Sequence, residues 1–431
     1  MKTALAALLD EFYEFTHPDV VPRQVEFPLI PRKATVIIGM RRTGKTWFCY
    51  QKMDELIKQG VPQNRILYLN FDDDRLFGFT VSDFQSILDV YYARFPENKN
   101  ETCYFFFDEI QEIDHWELFI RRILDKENVR VAITGSSSKL LGTEIATSLR
   151  GRTLVREMFP LNFREYLRMA GIFSNPPKQF GPSVSAKLRR AVRDFFRSGG
   201  FPETIGLSPF ERQTLLQGYV DSVLFRDIVE RYRIKNIVLL RHLIHEILRN
   251  PGQKFSVTKF YNTMKSLGIE CDKNALYSYI GHLTDAFLFY RVEIHHKSER
   301  VRRVNPAKLY AVDSGILHTV LTGGVDNNGP VFENAVFNAL RPGAKNIEYV
   351  QPAGGGEVDF LVTDHSNRPR LVQAAWSLSD PNTFDREINS LVAAGTAMKI
   401  SDMTVVTWDE ERTLENGIRI VPFWKFYPWE G

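Results

Sequence analysis

Residues 36–46 read VIIGMRRTGKT, and this stretch decides the fold. Four residues separate Gly39 from Gly44, and Lys45 and Thr46 follow directly. An apolar strand, a glycine-bounded loop and a helix in this order are typical of a triphosphate site, because the backbone N–H groups of the loop and the helix N-terminus surround phosphate oxygens. The strand and the helix stand where the motif requires them, which argues against a chance match. The stretch predicts an α/β domain that binds a nucleoside triphosphate.

The residue types in this loop predict individual roles. Gly39 and Gly44 permit close approach of the backbone to phosphate and unusual dihedral angles. Lys45 is expected to reach the β- and γ-phosphates, and the Thr46 hydroxyl is expected to ligate Mg²⁺. ATP and Mg²⁺ are therefore the expected cofactors. The predicted nucleotide contacts also include the residues just before Gly44, namely Arg41, Arg42 and Thr43.

A second motif lies at residues 103–111, which read CYFFFDEIQ. An apolar strand that ends in Asp108 and Glu109 suits Mg²⁺-dependent hydrolysis, with the aspartate in the metal shell and the glutamate polarising the attacking water. Taken alone the pattern is weak, because buried strands often end in acidic residues. Its position about sixty residues after the phosphate loop makes it strong. We therefore predict Asp108 as a metal residue and Glu109 as the general base.

A fourth apolar run, residues 129–135, ends beside Thr134 and Ser136. Their hydroxyls could contact the γ-phosphate or the water, and helix capping is an equally good explanation. Thr134 is kept in the predicted nucleotide set. Two arginines follow at Arg150 and Arg152. Arginine stabilises charge on a transferring phosphoryl group, although a surface position is the usual role of an arginine. Arg152 is the preferred catalytic arginine and Arg150 the second choice.

Length and composition are those of a globular, cytoplasmic protein. The 431 residues suggest about three domains, with 44% hydrophobic and 25% charged residues and a net charge of +3. The sequence contains no apolar run of membrane-spanning length, so no membrane partner is expected. The start, residues 1–9, briefly resembles a signal peptide, but acidic residues follow and an amphipathic helix is predicted. Three widely separated cysteines indicate neither a disulfide framework nor a metal cluster: Cys49, Cys103 and Cys271.

The combined motifs resemble the AAA-type ATPases that carry a C-terminal DUF4143 domain. The resemblance covers nearly the whole chain. It rests on GMRRTGKT, FFFDEIQ, ITGSSSKLL, LRGRT and EMFPLNFREYL, on residues 199–203 and 223–228, and on LYAVDSGIL, FENAVFNAL and EVDFLV. It implies a five-stranded parallel sheet with the fourth strand between the first and third, and arginines that often act between subunits of a homo-oligomer. The expected domains are a P-loop ATPase at 1–162, a helical lid-like region at 163–236, a winged helix-turn-helix at 237–309 and an α/β domain at 310–431.

The region 163–236 is predicted to be mostly helical. Residues 199–203, GGFPE, are typical of a tight turn, and packing is the favoured explanation. Arg226 and Arg231 are candidates for a second sensing arginine that reaches a neighbouring nucleotide. A salt-bridged helix face explains the pattern equally well.

In the region 237–309, three helices and a strand pair predict a winged helix with a basic wing. Residues 237–305 hold eleven lysines and arginines against six carboxylates, whereas the whole chain carries only +3. DNA is therefore a predicted partner. The alternative is a helical unit that packs on protein. Residues predicted to meet a DNA groove are Lys273, Asn274, Tyr277 and Ser278, and those predicted to meet phosphates are Lys297, Arg300, Arg302 and Arg303.

The last domain resembles the restriction-endonuclease-like fold. The resemblance implies an Asp on one strand and a Glu-x-Lys on the next, with the acids holding Mg²⁺. Asp359 matches the first acid and Glu333 is a plausible helix acid. Gln373 stands where the second acid belongs, and Ala375 stands where the lysine belongs. An amide and a methyl group cannot replace a metal ligand and a cation, so we expect this domain not to cleave DNA.

Three functions remain open from the sequence. The first is an ATPase that acts on DNA as an oligomer. The second is a nucleotide-gated switch that binds a protein partner. The third is an ATP-regulated nuclease, against which Gln373 and Ala375 argue.

Overall fold

The computed structural model describes residues 1–15, 20–136, 149, 151–175, 177, 179–321 and 329–426. The chain divides into two compact units, residues 1–158 and residues 159–431. The sequence predicts four consecutive domains, and the last three of them fall in the second unit. There the predicted helical, winged-helix and α/β regions belong to a single compact unit.

The first unit is built on a five-stranded sheet in the order β2-β3-β4-β1-β5, with every neighbouring pair parallel. The fourth strand lies between the first and third, which confirms the topology implied by the resemblance. The apolar runs form the strands because a parallel sheet is covered on both faces. The strands are β1 Ala34–Ile38, β2 Ile66–Asn70, β3 Cys103–Asp108, β4 Val129–Gly135 and β5 Thr153–Glu157.

Helices cover both faces of this sheet. On one face, Phe12 and Met53 pack with Phe106 of β3. On the other face, Phe107 contacts Phe119, which stacks on Phe84 with ring centroids 4.6 Å apart. Neighbouring residues of β3 thus serve opposite faces, as strand geometry requires. The helices are α1 Lys2–Glu14, α2 Lys45–Lys58, α3 Phe84–Arg94 and α4 Trp116–Lys126.

The helices of the second unit confirm the predicted helical character of its first half. A π-helix, Val223–Glu230, continues directly from the third of them. None of the helices in the described part of the chain is long and apolar enough to span a membrane. The α-helices are α5 Phe163–Met169, α6 Pro182–Ser198, α7 Pro209–Ser222, α8 Ile237–Arg249, α9 Val257–Ser266, α10 Lys273–Asp285, α11 Glu299–Val304, α12 Ser314–Leu317, α13 Gly329–Leu340, α14 Pro381–Met398 and α15 Phe423–Phe426.

An eight-stranded mixed sheet runs through the second unit in the order β12-β13-β11-β10-β9-β8-β6-β7. Helix α14 packs on it through Leu391, which lies in one cluster with Leu371 and Val405. The strands are β6 Phe289–Ile294, β7 Lys308–Ala311, β8 Ala344–Val350, β9 Val358–Asp364, β10 Pro369–Ala374, β11 Met403–Thr407, β12 Arg412–Thr413 and β13 Arg419–Pro422.

The region predicted as a winged helix is continuous with this sheet. Strands β6 and β7 pair antiparallel, as expected for a wing, and β6 also pairs parallel with β8. The predicted boundary after residue 309 therefore falls inside a strand. Between β6 and β7 the chain forms the short helix α11 rather than a simple hairpin, and Arg303 bonds Glu299 one turn earlier at 2.7 Å.

The motif at residues 199–203 is a packing turn, as favoured from the sequence. Gly199 has φ +71°, and a β-carbon there would collide with the carboxylate of Asp313. That carboxylate is buried and accepts backbone N–H groups from Gly200 at 2.7 Å and from Gly315 at 2.8 Å. The turn and the end of β7 are thereby joined across 113 residues of sequence.

The aromatic core of the second unit connects its first and last helices. Phe196 of α6 is fully buried and meets Phe423 of α15 with ring centroids 4.8 Å apart. Phe163 of α5 reaches the same ring at 6.2 Å. Phe332 and Trp408 complete the surroundings of Phe196. Helices α5 and α6, at the start of this unit, therefore pack against α15 at the end of the described chain.

Candidate nucleotide-binding site

The phosphate loop begins where β1 ends. Gly39 has φ +146°, and a β-carbon there would collide with the backbone carbonyl of Met158. Gly44 has φ +92° and is the N-cap of α2, so Lys45 and Thr46 open the helix. Both glycines are required by backbone geometry, as the sequence predicted. The loop and the helix N-terminus form the kind of cradle in which backbone N–H groups bind phosphate.

Lys45 is buried at the centre of this loop. Its ammonium donates to the carbonyl oxygens of Gly39 at 3.1 Å and Met40 at 3.2 Å. The same nitrogen lies 3.6 Å from a carboxylate oxygen of Glu109. The cation is thus held under the loop, close to where the loop would surround a phosphate.

Asp108, the last residue of β3, accepts three hydroxyl hydrogen bonds. The donors are Thr46 at 2.6 Å, Tyr68 at 2.9 Å and Thr134. Burial raises the pKa of Asp108, and the charge of Glu109 raises it further. A buried carboxylate beside a threonine hydroxyl is a donor set suited to Mg²⁺, a hard cation that prefers oxygen ligands. Thr46 and Asp108 therefore fit the predicted metal role.

Glu109 follows directly and has an unusual backbone conformation, with φ +52°. Its N–H donates to the Thr134 hydroxyl at 3.1 Å, and its carboxylate accepts from Gln111. Burial opposes ionisation, but the nearby Lys45 charge and the Gln111 hydrogen bond outweigh it and lower the pKa of Glu109. A hydrogen bond from Ser136 acts in the same direction. The group is therefore an ionised carboxylate at neutral pH, as a general base must be.

The other predicted loop residues take different positions. Thr43 is buried and its hydroxyl donates to the Met40 carbonyl at 2.9 Å, so it stabilises the loop from within. Arg41 lies 4.0 Å from Glu112, and Arg42 is exposed with φ +68°. These two arginines lie on the loop and their contact with nucleotide stays a prediction.

Sequence reasoning missed three residues that shape this site. Arg23, in the lead-in to β1, is buried and donates to the carbonyl oxygen of Thr43 at 2.8 Å. Tyr68 reaches Asp108 from the neighbouring strand β2, and Gln111 binds Glu109. Tyr68 is the middle residue of the five in β2, and Arg23 lies before β1, so neither position in the sequence signalled a contact with the site.

Arg152 does not belong to the site formed by its own chain. It precedes β5, whose first residue pairs with Ala34 at the start of β1, whereas the loop follows the end of β1. Five residues of strand, about 16 Å, separate these two edges of the sheet. The Arg152 side chain is paired with Asp125 instead. Arg150, the second choice, lies outside the described residues.

Arg226 and Arg231, the candidates for a second sensing arginine, are exposed residues of the second unit. Arg226 lies within the π-helix and Arg231 directly follows it. The π-helix is a rare element, and those that occur are frequently found at functional sites. The sensing role of these two arginines stays a prediction.

Comparison with known proteins agrees with the geometry. Residues 31–167, which contain the loop and the Asp-Glu pair, match the AAA domain family. An uncharacterized protein of Methanocaldococcus jannaschii is 32% identical over 433 residues, covering 97% of this chain and 93% of that protein. The chain belongs to the family of this archaeal protein. An uncharacterized protein of Haemophilus influenzae is 29% identical over 353 residues, covering 82% of this chain and 84% of that protein.

In this family the first unit is an AAA-type P-loop domain, and the second unit has a different match from the one expected. Residues 189–326 match a domain of unknown function, DUF8612, and not DUF4143. Among solved structures, a Walker-type ATPase of Pyrococcus abyssi has a TM-score of 0.43 and 12% identity, covering 67% of this chain and 90% of its own. The Orc1 protein of Aeropyrum pernix, solved in complex with DNA, has a TM-score of 0.29 and 14% identity, covering 74% and 90%.

Proposed function

We propose that the protein is a Mg²⁺-dependent ATPase whose hydrolysis is coupled to action on DNA. The observation that carries the enzymatic part is the convergence of Lys45, Thr46, Asp108 and Glu109 at one edge of the first sheet. Each side chain is held by the hydrogen bonds described above. The four come from two motifs about sixty residues apart, and together they supply a cation, a metal-binding hydroxyl and two carboxylates.

The roles follow from the chemistry of each group. Lys45 would exchange its two loop carbonyls for phosphate oxygens and offset their charge. Thr46 and Asp108 would hold Mg²⁺, which when bound neutralises charge on the phosphates. Thr134 fixes the Asp108 carboxylate and the Glu109 backbone, so it positions both acids. Glu109, ionised and within the site, would accept a proton from the attacking water.

ATP turnover with and without Mg²⁺ tests this assignment. We expect Mg²⁺-dependent release of phosphate by the intact chain, and its loss in Asp108→Asn, because an amide is a poor ligand for a hard cation. Apo Asp108→Asn is expected to unfold no earlier than the wild-type chain, since the ionised Asp108 is disfavoured by burial. Turnover without Mg²⁺, or at the wild-type rate in Asp108→Asn, would contradict the proposal.

The DNA part is supported by side chains on an exposed face of α10. Lys273, Asn274, Tyr277 and Ser278 are all exposed, at a spacing that places them on one side of the helix. Lys297 and Arg300, between β6 and the middle of α11, are exposed as well. A helix face with polar and basic groups suits groove contacts, and the exposed cations of Lys297 and Arg300 suit phosphate contacts.

An arginine donated between subunits completes the proposal. Arg152 lies at the sheet edge opposite its own phosphate loop, so it would act only in the site of a neighbouring copy. A homo-oligomer is therefore the proposed active form. The weak surface pair with Asp125 would be exchanged for phosphate oxygens in that arrangement.

A second candidate function is a nucleotide-gated switch that binds a protein partner. The observation that favours it lies in α11, where Arg303 is already paired with Glu299 and Arg302 is partly buried. Fewer cations are thus available to DNA phosphates than the sequence suggested. Slow turnover, tightly retained ADP and no response to DNA would favour the switch. Turnover stimulated by single-stranded, duplex or branched DNA would favour the first function.

A further inference from the structure

The second unit contains a cavity of about 610 Å³ whose wall carries four carboxylates, from Glu333, Glu357, Asp359 and Glu387. Lys308 of β7 also lies in this wall. The resemblance to restriction-endonuclease-like domains places Mg²⁺ between Asp359 and Glu333. The donors already bound to these carboxylates determine whether they are free to hold such an ion.

The Lys308 ammonium lies between three of these four carboxylates. It lies 2.9 Å from Glu333, 2.8 Å from Glu357 and 2.9 Å from Asp359. An ammonium has three N–H donors, so each of them faces one carboxylate. The lysine side chain is only 4% exposed. Charge and hydrogen-bond geometry are thus satisfied by a cation that belongs to the chain.

Further donors bind the carboxylates of Glu357, Asp359 and Glu333. The second oxygen of Glu357 lies 2.5 Å from the Lys254 ammonium. The second oxygen of Asp359 accepts the N–H of Ala374 at 3.1 Å. The Glu333 oxygen bound to Lys308 also accepts the Tyr310 hydroxyl at 2.6 Å. A metal ion would have to displace these donors to reach its ligands.

Gln373 fits the same arrangement. Its amide oxygen accepts the N–H of Asp359 at 3.1 Å, while its NH₂ group donates to Glu387 at 2.5 Å. A carboxylate at position 373 could accept but not donate, and it would repel Glu387. The amide that replaces the expected acid is therefore the group this pocket requires. Among the described residues, no three or more histidine, cysteine or acidic side chains are arranged together to hold a metal ion.

We propose that the Lys308 ammonium permanently occupies the position between Glu333, Glu357 and Asp359 that a divalent metal would take, which makes the second unit metal-independent. This inference concerns the second unit alone and does not depend on ATP hydrolysis in the first. It also gives a structural reason to expect no cleavage, since the acids expected to bind metal are neutralised from within the chain. Lys308 was not identified from the sequence, because β7 is remote in sequence from β9 and from the other segments that carry these acids.

The physical consequence is that removing the ammonium should create a metal site. Without Lys308, three carboxylates would face one another in a buried position, and such uncompensated charges are strongly destabilising. A divalent cation would then offset their repulsion and bind through the freed oxygens. Lys254 is the matched control, because it pairs with Glu357 from the rim and leaves Lys308 in place.

Mn²⁺ binding to the full-length, EDTA-treated protein tests the proposal. Every variant is made in the Asp108→Asn background and studied without nucleotide, so that the first unit does not contribute. Electron paramagnetic resonance measures free Mn²⁺, and thermal unfolding measures stabilisation. We expect no Mn²⁺ bound by the background protein or by Lys254→Ala. Lys308→Ala is expected to bind an ion and to gain thermal stability with Mn²⁺, and both gains should disappear in Lys308→Ala/Asp359→Asn.

Two results would overturn the proposal. One is that the Asp108→Asn background protein binds Mn²⁺ and loses this binding when Asp359→Asn is added. That result would mean that the metal displaces Lys308. The other is a folded Lys308→Ala protein that binds no Mn²⁺. The first comparison leaves Lys308 in place, so it decides the question even if Lys308→Ala fails to fold.

Discussion

The side-chain nitrogen of Lys45 lies 3.6 Å from a carboxylate oxygen of Glu109. The cation assigned to phosphate and the acid assigned to water therefore neutralise each other in this structure. Lys45 is also a principal cause of the lowered pKa of Glu109, after the opposing effect of burial. Replacing Lys45 should thus weaken binding and also make Glu109 harder to ionise, whereas replacing Glu109 removes the base and leaves the phosphate-binding cation in place.

Lys45→Ala and Glu109→Gln should separate binding from chemistry. Lys45→Ala is expected to weaken ATP binding by about 10- to 100-fold, the value of a charge-assisted hydrogen bond. Glu109→Gln should retain ATP binding but hydrolyse it about 10²- to 10⁴-fold more slowly, because an amide cannot accept the proton. Equilibrium binding of ATP and single-turnover hydrolysis measure the two effects. Glu117→Gln, a matched change in α4, should alter neither, and normal turnover in Glu109→Gln would refute the assignment.

Arg152→Ala should bind ATP normally and fail to hydrolyse it if the arginine acts in a neighbouring subunit. Mixing Arg152→Ala with Lys45→Ala chains should restore part of the activity, because each supplies the group that the other lacks. The measurement is phosphate release against mixing ratio, with mixed oligomers verified by mass. Arg156→Ala, a change of a half-buried arginine on β5, serves as the control and should remain active by itself. Mixed oligomers without any rescue would exclude the donated arginine.

Charge reversal at Lys297 and Arg300 should reduce DNA affinity. Each phosphate contact that is lost lowers the number of counterions released on binding. The magnitude of the slope of log affinity against log salt should therefore fall by about two. Lys99→Glu/Lys126→Glu carries the same change of charge on the first unit and should leave the slope unchanged. Fluorescence anisotropy at several salt concentrations measures both. An unaltered slope in the Lys297/Arg300 variant would favour the protein-binding switch.

The stability of the second unit should depend on pH through Asp313. Burial raises the pKa of this carboxyl from 3.8 to about 6. The folded state therefore binds this proton more tightly than the unfolded state. The contribution of protonated Asp313 to the free energy of unfolding is complete below pH 3.8 and is lost as pH rises through 6. Two pKa units correspond to about 3 kcal/mol.

Urea unfolding of Asp313→Asn between these pH values measures this effect. The variant should be less stable at acidic pH, because the amide has only one oxygen for the N–H groups of Gly200 and Gly315. Its stability should, however, fall less steeply as pH rises. Asp380→Asn is the contrasting control, because hydrogen bonds from Thr383 lower the pKa of Asp380 and its contribution is lost as pH falls. Equal pH slopes for the wild-type and Asp313→Asn chains would contradict the prediction.

Local patterns predicted the strands and the loop of the first unit closely. The run at 129–135 forms β4 with those bounds, and a helix follows the loop as the motif requires. Such elements are encoded by consecutive residues, since burial on both faces demands a continuous apolar run. The order of the strands followed only from the family resemblance, because pairing between remote segments leaves no local pattern.

The same reason explains what the sequence did not predict. Lys308 meets Asp359 across 51 residues, and Arg23 meets the loop across 20. A lysine within an apolar strand carries no local mark of the carboxylates it will face. The helix α11 was likewise unexpected, because six residues rich in arginine were equally compatible with an exposed hairpin.

The contact between Phe196 and Phe423 has a consequence for how the chain emerges from the ribosome. The first unit has all of its strands once residue 158 is synthesised, and units of this kind generally fold in order from the N-terminus. The aromatic face of α6 must instead wait for more than half of the protein to be translated before its partner exists. Contacts so distant in sequence form slowly. The nascent second unit therefore exposes an apolar surface on α6 during most of its translation. During this interval it is most in need of protection by chaperones.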